Sequence, residues 1–271
     1  MRNIFANFFK DFIKNESNSV LLLGDISVGL FLDENEKLID KVFNLGILEQ
    51  SMISFAAGIS RENIIPFVHT ISPFIIERAF EQIKLELSYN ESKCILVSAN
   101  GPYEYNKLGP THHCSNDIPL IDILPKVDFY IPGRDIDVEE ALRSAVKNKY
   151  SSYVRLSKIS SSMNAFSAGE LVRTKRKNSS NILNVFVGEA LYYYQKNLDF
   201  FDGQDFIYIW NKNQFDSEIL SNYKEINIWE PYSRSIFTGL FLDKNKLQIN
   251  SYLYPETIEN GIFDSPLFIK Q

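Results

Sequence analysis

A glutamate at the start of an apolar, small-residue stretch is the first candidate for chemistry in this sequence. Glu49 follows Asn44-Leu45-Gly46-Ile47-Leu48 and precedes a run that includes Ala56, Ala57 and Gly58. Burial disfavours the charge of a carboxylate, but the dipole and free N–H groups of a helix N-terminus offset part of that cost. Glu49 is therefore either a solvent-facing residue of a first helical turn or a functional carboxyl group.

A second candidate is the pair of histidines that ends Gly109-Pro110-Thr111-His112-His113. Glycine, proline and threonine favour a turn, which places the histidines in a loop after a predicted strand. In open α/β sheets such loops line the ligand crevice, although a surface loop with two solvated histidines is equally compatible with the motif. Adjacent histidines rarely converge on one metal ion and no carboxylate cluster lies nearby, so we expect no metal site in this chain.

The elements that must position these residues form an α/β pattern over residues 1–158. Short continuous apolar strands alternate with helices, which indicates a parallel sheet covered on both faces. The predicted elements are a helix around Ile4–Ile13, strand Ser19–Leu23, helix Ile47–Arg61, strand Ile64–Val68, helix Pro73–Leu87, strands Cys94–Ser98 and Asp128–Ile131, helix Val138–Lys147 and strand Tyr153–Leu156.

Residues 159–180 are rich in serine and contain the basic run Arg173–Lys177, so we expect an extended linker there. A smaller α/β domain over residues 181–271 follows. The fold prediction is therefore two doubly wound α/β domains joined by the linker. The predicted elements of the second domain are strand Ile182–Val187, helix Glu189–Lys196, strand Phe206–Trp210, helix Phe215–Asn222, strand Glu225–Trp229 and helix Ser233–Leu242.

Composition limits the classes of function. The net charge of −6 argues against nucleic acid as a partner. The N-terminus lacks the apolar core of a signal peptide, and no stretch approaches the roughly 20 apolar residues of a membrane span. The two cysteines, Cys94 and Cys114, are not spaced as zinc ligands or a redox pair. We expect a soluble, cytoplasmic protein, and its 14% aromatic content favours a buried subunit interface.

Several separated motifs occur in an order and spacing that resemble one known family. They are Asn44-x-Gly46-Ile47-x-Glu49-Gln50, Ala56-Ala57-Gly58, Pro66-Phe67-Val68 with Thr70 and Phe74, Arg78-Ala79-Phe80-Glu81-Gln82, Gly109-Pro110-Thr111-His112 and Asp117-Ile118. Together they resemble the pyrimidine-binding domain of transketolases and 1-deoxyxylulose-phosphate synthases over roughly residues 20–158. Residues 182–271 are similar to the family's C-terminal domain only in pattern and position, and they are shorter.

The resemblance implies thiamine diphosphate as cofactor and assigns roles at its binding site. Glu49 would hydrogen-bond N1′ of the aminopyrimidine and favour the imino tautomer, whose N4′ removes the thiazolium C2 proton. Phe74 resembles the aromatic residue that stacks on that ring, and Ile71 would line the same pocket. Asp25 matches a family aspartate near the thiazolium and the subunit interface.

On the substrate side, His112 matches a family histidine that faces the sugar and relays a proton. Lys158 lies where the family often has a phosphate-binding arginine; lysine keeps the charge but loses the bidentate geometry. Leu108 replaces an aspartate that reads a donor hydroxyl, and Ala99 or Asn100 stands where a histidine is usual. These departures point away from the usual ketose phosphate and towards a less polar donor or acceptor.

The family's diphosphate-binding domain, which holds magnesium, has no counterpart in this sequence. We therefore expect the magnesium ligands on a partner chain, a diphosphate-binding transketolase N-terminal subunit, in an α2β2 heterotetramer. The predicted function is transfer of a two-carbon ketol or acyl unit to or from a sugar or 2-oxo acid. The alternatives are a 2-oxo-acid dehydrogenase β-type subunit, a non-catalytic assembly subunit that kept the fold, and an unrelated nucleotide-binding α/β protein. No glycine-rich phosphate loop supports the last.

Overall fold

The computed structural model describes residues 1–173, 180–214, 217–236, 248–253 and 269–270, which form two six-stranded sheets. All strand pairs of the first sheet are parallel, in the order β2-β1-β3-β4-β6-β5. Its strands are β1 (Ser19–Leu23), β2 (Val42–Asn44), β3 (Ile65–Ile71), β4 (Ile95–Ala99), β5 (Val127–Tyr130) and β6 (Ser151–Leu156). The strand order reverses direction between β1 and β3, and ligands of doubly wound sheets bind at the carboxyl ends of the strands beside such a point.

Helices cover both faces of this sheet because successive strand residues point to opposite sides. Leu22 and Val68 pack with Met52 in one core cluster, whereas Leu21 and Phe67 belong to the other. The helices are α1 (Arg2–Asn15), α2 (Glu49–Ser60), α3 (Phe80–Gln82), α4 (Asp117–Asp122) and α5 (Val138–Lys147). The predicted parallel sheet, its five predicted strands and the helix over Val138–Lys147 are confirmed within a few residues, and β2 is an additional edge strand.

The helix predicted over Pro73–Leu87 differs in its winding. The π-helical turns Phe74–Arg78 and Ile83–Tyr89 flank the three residues of α3. Apolar periodicity over so short a stretch does not separate a π-helical turn from an α-helical one. π-Helical turns occur frequently at functional sites, and the first of these two carries Phe74.

The second sheet has the order β12-β11-β10-β8-β9-β7, with four parallel central strands and antiparallel edges. Its strands are β7 (Leu171–Val172), β8 (Ile182–Val187), β9 (Asp205–Ile209), β10 (Glu225–Glu230), β11 (Gln248–Leu253) and β12 (Ile269–Lys270), and α6 (Ala190–Lys196) follows β8. Short 3₁₀ segments lie at Val28–Phe31, Asn106–Leu108, Pro110–His112, Asp135–Asp137, Lys212–Gln214 and Ser217–Asn222.

Several predicted elements of this part of the chain differ from the structure. Strand β7 lies inside the expected linker and pairs with β9, because Leu171 and Val172 supply a short apolar edge strand. Of the basic run, only Arg173 lies in the described ranges. The predicted helix Phe215–Asn222 is a 3₁₀ segment from Ser217, and residues 215–216 lie outside the described residues. Residues 233–236 are not helical, and the rest of the helix predicted to Leu242 lies outside the described residues. The domain boundaries at residues 158 and 181 stay a prediction.

The two sheets are in direct backbone contact. Ile131 N donates to Trp210 O at 2.8 Å, and Gly133 N donates to the Tyr208 hydroxyl at 2.7 Å. A Cβ added at Gly133 would lie 2.1 Å from Gly188 O, so this approach requires glycine. None of the helices within the described ranges is long and apolar enough to cross a membrane.

We predict that Gly133→Ala destabilises the chain by about 1–3 kcal/mol or more, since overpacking usually costs this much. The clash is with backbone, which cannot rotate away. Thermal or urea unfolding of the purified chain measures the loss. Gly58→Ala is the matched control, since nothing lies within 4 Å of its added Cβ on α2; it should be neutral or stabilise by about 0.5–1 kcal/mol. Equal stability of the two variants would contradict the close sheet contact.

Candidate active site

The predicted cofactor residues Asp25, Glu49 and Ile71 lie beside the point where the strand order reverses. Asp25 follows β1, Glu49 comes shortly after β2, and Ile71 ends β3. The Asp25 carboxylate is exposed and accepts a hydrogen bond from Asn44 Nδ2 at 3.2 Å, while Asn44 Oδ1 accepts from Asp25 N at 3.1 Å. Asp25 has a φ of 59°, so this reciprocal pair holds an otherwise unfavourable turn.

Glu49 is the first residue of α2 and is only 1% exposed, so it is not the solvent-facing residue that the sequence allows. Arg78 Nη1 donates to its Oε2 at 2.8 Å, and Thr70 Oγ1 lies 3.4 Å from its Oε1. A buried carboxylate needs a counter-charge and hydrogen bonds, and Arg78 supplies both. The side chain is therefore held in one orientation at the edge of the sheet.

A line of ring contacts joins Glu49 to the predicted substrate residues. The Arg78 guanidinium carbon lies 4.1 Å from the centre of the Phe74 ring, and the Phe74 and His112 rings meet edge to face at 5.2 Å. Tyr105 contacts the His112 ring at 5.9 Å, and Lys158 Nζ lies 3.8 Å from the Tyr105 ring centre. A chain of side-chain contacts through Arg78 and Tyr105 thus connects Glu49 and Phe74 to His112 and Lys158.

The loop that carries His112 is built from two 3₁₀ turns joined at Gly109, which has a φ of 76°. His112 Nδ1 and Thr111 Oγ1 are 2.9 Å apart. Leu108 is 56% exposed on this loop, and its backbone oxygen accepts a weak bond from Thr111. Burial lowers the pKa of His113, with the charge of His112 acting in the same direction and a backbone hydrogen bond with Asn106 opposing it. The His113 ring meets the Tyr103 ring edge to face, with 5.2 Å between the ring centres.

A cleft of about 230 Å³ lies beside Lys158, lined also by Arg2, Asn3, Asn100 and Ser157. Asn100 is 2% exposed, has a φ of 82°, and neither polar atom of its side chain has a hydrogen-bond partner among the described residues. Burial lowers the pKa of Lys158, the charge of Arg2 lowers it further, and Glu104 opposes both. Two cations and an unsatisfied amide around one cleft suit a small anion.

His69 holds the loop that follows β1 and carries Asp25. It is fully buried on β3; its Nδ1–H donates to Val97 O at 2.7 Å, and its Nε2 accepts from the Ser27 hydroxyl at 2.9 Å. Burial lowers the pKa of His69 to about 4, with a smaller contribution from Arg2, and the bond to Val97 opposes the shift. The neutral ring fixes Ser27, whose φ is 60°, two residues after Asp25.

The donor set of the site suits an aminopyrimidine better than a metal ion. No group of three or more histidine, cysteine, aspartate or glutamate side chains within the described ranges is arranged to hold a metal. Glu49 offers a carboxylate for a ring nitrogen, and Phe74 offers a half-buried aromatic face. Both lie at the carboxyl edge where doubly wound folds bind ligands.

Comparison with known proteins agrees with this geometry. Residues 1–162 match the family described as "Transketolase, pyrimidine binding domain". The chain belongs to the transketolase family. An apulose-4-phosphate transketolase subunit from Actinobacillus succinogenes is 27% identical over 58% of this chain and 50% of its own length. A 6-deoxy-6-sulfo-D-fructose transketolase subunit from a Clostridium species is 21% identical over 70% of this chain and 62% of its own length.

The fold extends beyond the family match. A split-gene transketolase solved as an inactive β4 tetramer superposes with a TM-score of 0.78 and 18% identity, covering 96% of this chain and 89% of that chain. This transketolase-family chain spans about half to under two thirds of the length of those two curated relatives.

Four of the residues that shape the site have no role that the sequence alone predicts. Arg78 lies inside one of the family motifs, but its pairing with Glu49 depends on α2 meeting the π-helical turn. Arg2 and Asn100 lie 98 positions apart and meet only through the fold. For Asn100, the departure from the family histidine is the available signal. The neutral, buried state of His69 has no signal in the sequence.

We predict that Arg78→Met destabilises the chain by about 1–3 kcal/mol, because it leaves the Glu49 carboxylate buried without its cation. Urea unfolding at neutral pH provides the free energy. Arg61→Met is the matched control, since its ion pair with Glu86 spans 3.7 Å at the surface and should contribute less than about 1 kcal/mol. Similar losses in both variants would show that Glu49 does not depend on Arg78.

Proposed function

We propose that this chain is the pyrimidine-binding subunit of a split, thiamine-diphosphate-dependent transketolase-like enzyme that transfers a two-carbon ketol or acyl unit. The observation that carries the proposal is the buried Glu49 carboxylate, held at the switch point of a parallel sheet beside the half-buried ring of Phe74. A fold kept only for assembly has no use for a buried carboxylate that needs its own counter-ion. We place the enzyme in the cytoplasm.

In this proposal, five residues of this chain have separate roles in binding and activating the cofactor. The bound cofactor supplies an acidic carbon able to add to a carbonyl group. Glu49 holds and shares a proton at the pyrimidine N1′, and Arg78 keeps the carboxylate in position for that bond. Phe74 stacks on the ring, and Ile71 contributes apolar contact. Asp25 follows β1, and its exposed carboxylate would face the thiazolium side of the site.

The substrate side begins at His112, whose ring contacts Phe74. We assign its imidazole the role of holding or moving a proton at a substrate oxygen. Beyond Tyr105, the cleft of Lys158, Arg2 and Asn100 would bind a terminal anionic group of a sugar. We therefore add Arg2 to Lys158 as an anion-binding residue, because its guanidinium supplies the bidentate donor geometry that lysine lacks. The names of the two curated relatives reported above specify a sugar with an anionic substituent, a phosphate or a sulfo group.

A partner chain completes the enzyme in this proposal. Phe43, Ile47, Leu48 and Phe55 are each more than half exposed around the buried Glu49. Exposed apolar patches of this kind mark protein interfaces. We propose that a diphosphate-binding transketolase subunit, carrying the magnesium ligands, covers this surface in an α2β2 assembly. A 2-oxo-acid dehydrogenase β subunit would share the architecture, but both curated relatives described above are named as transketolase subunits.

We predict that Glu49→Gln leaves the two-chain complex folded but abolishes exchange of the cofactor's C2 proton, because glutamine cannot share a proton with N1′. NMR of C2–H exchange in the complex with the partner is the measurement. The isolated chain should bind thiamine diphosphate weakly in titration calorimetry with magnesium present. Exchange at the wild-type rate in Glu49→Gln would mean that this carboxylate is only structural.

We also predict that xylulose 5-phosphate is a poor donor for the complex. The side chain of Leu108 cannot accept a hydrogen bond from the donor hydroxyl, and a hydroxyl buried without a partner in the assembled site costs about 1–3 kcal/mol, or roughly 5- to 150-fold in kcat/KM. Leu108→Asp should shift preference back towards that donor, whereas His112→Ala should weaken all donors. Efficient use of xylulose 5-phosphate by the wild type would overturn the argument from Leu108.

A further inference from the structure

Glu189 is a buried carboxylate that the second sheet contributes to the first. It follows β8, is 1% exposed, and precedes α6. Arg155 Nη2 donates to its Oε2 at 3.2 Å. Its Oε1 occupies the space next to Gly101, where an added Cβ would lie 2.7 Å away. Glu189 therefore contacts both the end of β6 and the turn that follows β4.

Arg155 is shared among more acceptors than one guanidinium charge can neutralise. It is fully buried, its Nη1 donates to Asp117 Oδ1 at 2.8 Å, and its Nη2 also donates to Pro231 O at 3.0 Å. Burial raises the pKa of Glu189 to about 7; the charges of Glu104 and Asp117 add to the shift, and Arg155 opposes it. Packing an imperfectly neutralised carboxylate here costs stability, which suggests that the position serves more than folding.

The turn beside Glu189 carries Asn100, the unsatisfied amide of the cleft. Asn100 N donates to Leu156 O at 2.7 Å, and its O accepts from Ser72 Oγ at 2.6 Å. Gly101 N donates to Glu104 Oε2 at 2.8 Å. These contacts hold the turn from the first sheet, and the side chain of Glu189 packs against it at Gly101.

We propose that Glu189 is a positioning residue through which the second sheet holds the Asn100–Gly101 turn in the shape that presents Asn100 to the cleft. The identity of the cleft's ligand rests on the proposed function, but the contact itself does not. The second sheet then contributes to the substrate site, because it supports the turn that lines the anion-binding cleft.

The test compares Glu189→Ala with Glu189→Gln in the purified chain by hydrogen–deuterium exchange. Alanine removes the contact with Gly101 and Arg155, whereas glutamine keeps the length and an acceptor oxygen. We expect Glu189→Ala to raise amide exchange over residues 99–105 by about five-fold or more, and Glu189→Gln to retain the wild-type rate. Asp205→Asn is the matched control, a buried carboxylate at the start of β9 that accepts from the Tyr223 hydroxyl at 2.7 Å; it should leave the turn unchanged.

Two results would overturn the proposal. One is an unchanged turn in Glu189→Ala. The other is faster exchange spread evenly over both sheets, which marks a purely structural ion pair. If Glu189→Ala does not fold, Gly101→Ala replaces it, since its Cβ would meet Glu189 Oε1; the same rise over residues 99–105 is expected, and its absence counts against the proposal.

Sulfate binding separates this proposal from the proposed function. Followed by calorimetry, sulfate should bind the wild type and Glu189→Gln alike and bind Glu189→Ala about five-fold or more weakly. If the wild type does not bind sulfate, the anionic substrate is wrong, while the exchange data still decide the role of Glu189. If sulfate binds all variants equally, the positioning role is wrong and the anionic cleft stands.

Discussion

The buried guanidinium of Arg155 connects the parts of this molecule that chemistry requires to stay together. It lies at the carboxyl end of β6 and bonds Asp117 at the start of α4, Glu189 after β8, and the backbone at Pro231. Each of these acceptors comes from a different segment of the chain. A charge that cannot reach water must keep its partners, so these segments cannot move independently without exposing an unpaired ion.

The ion pair of Glu49 and Arg78 at the edge of the first sheet also keeps a buried charge paired, but it is less completely buried. Glu49 is buried, but its partner Arg78 is 41% exposed, so the ion pair opens on one side to the surface. That arrangement leaves the carboxylate fixed yet reachable by a ligand that enters over Phe74. Hydrogen bonding is less complete in the cleft beside Lys158, since the side chain of Asn100 has no hydrogen-bond partner among the described residues. Unsatisfied groups of this kind are stabilised when a ligand supplies the missing bonds.

Backbone close approach explains how the second sheet can act on the first. Gly133 and Gly188 let two distant segments meet at a distance that excludes any Cβ, and the hydroxyl of Tyr208 accepts the hydrogen bond that Gly133 N donates. The contact brings Glu189 within reach of Gly101 and Arg155. The second sheet thereby contacts the substrate side of the site. Its position in the chain, after a serine-rich segment, does not predict that contact.

The sequence by itself determined the doubly wound first sheet, since its apolar strands and the helix Val138–Lys147 are read from local periodicity. It also identified Glu49 and His112 as candidates from their local motifs, and the resemblance to the transketolase family added Phe74 and Lys158. Tertiary structure alone decided that Glu49 is buried against Arg78, and that Arg2 and Asn100 join Lys158. It also decided that β7 belongs to a sheet rather than a linker. The reason is physical: periodicity reports which face of one element is apolar, whereas burial, ion pairing and edge-strand pairing depend on which distant segment covers that face.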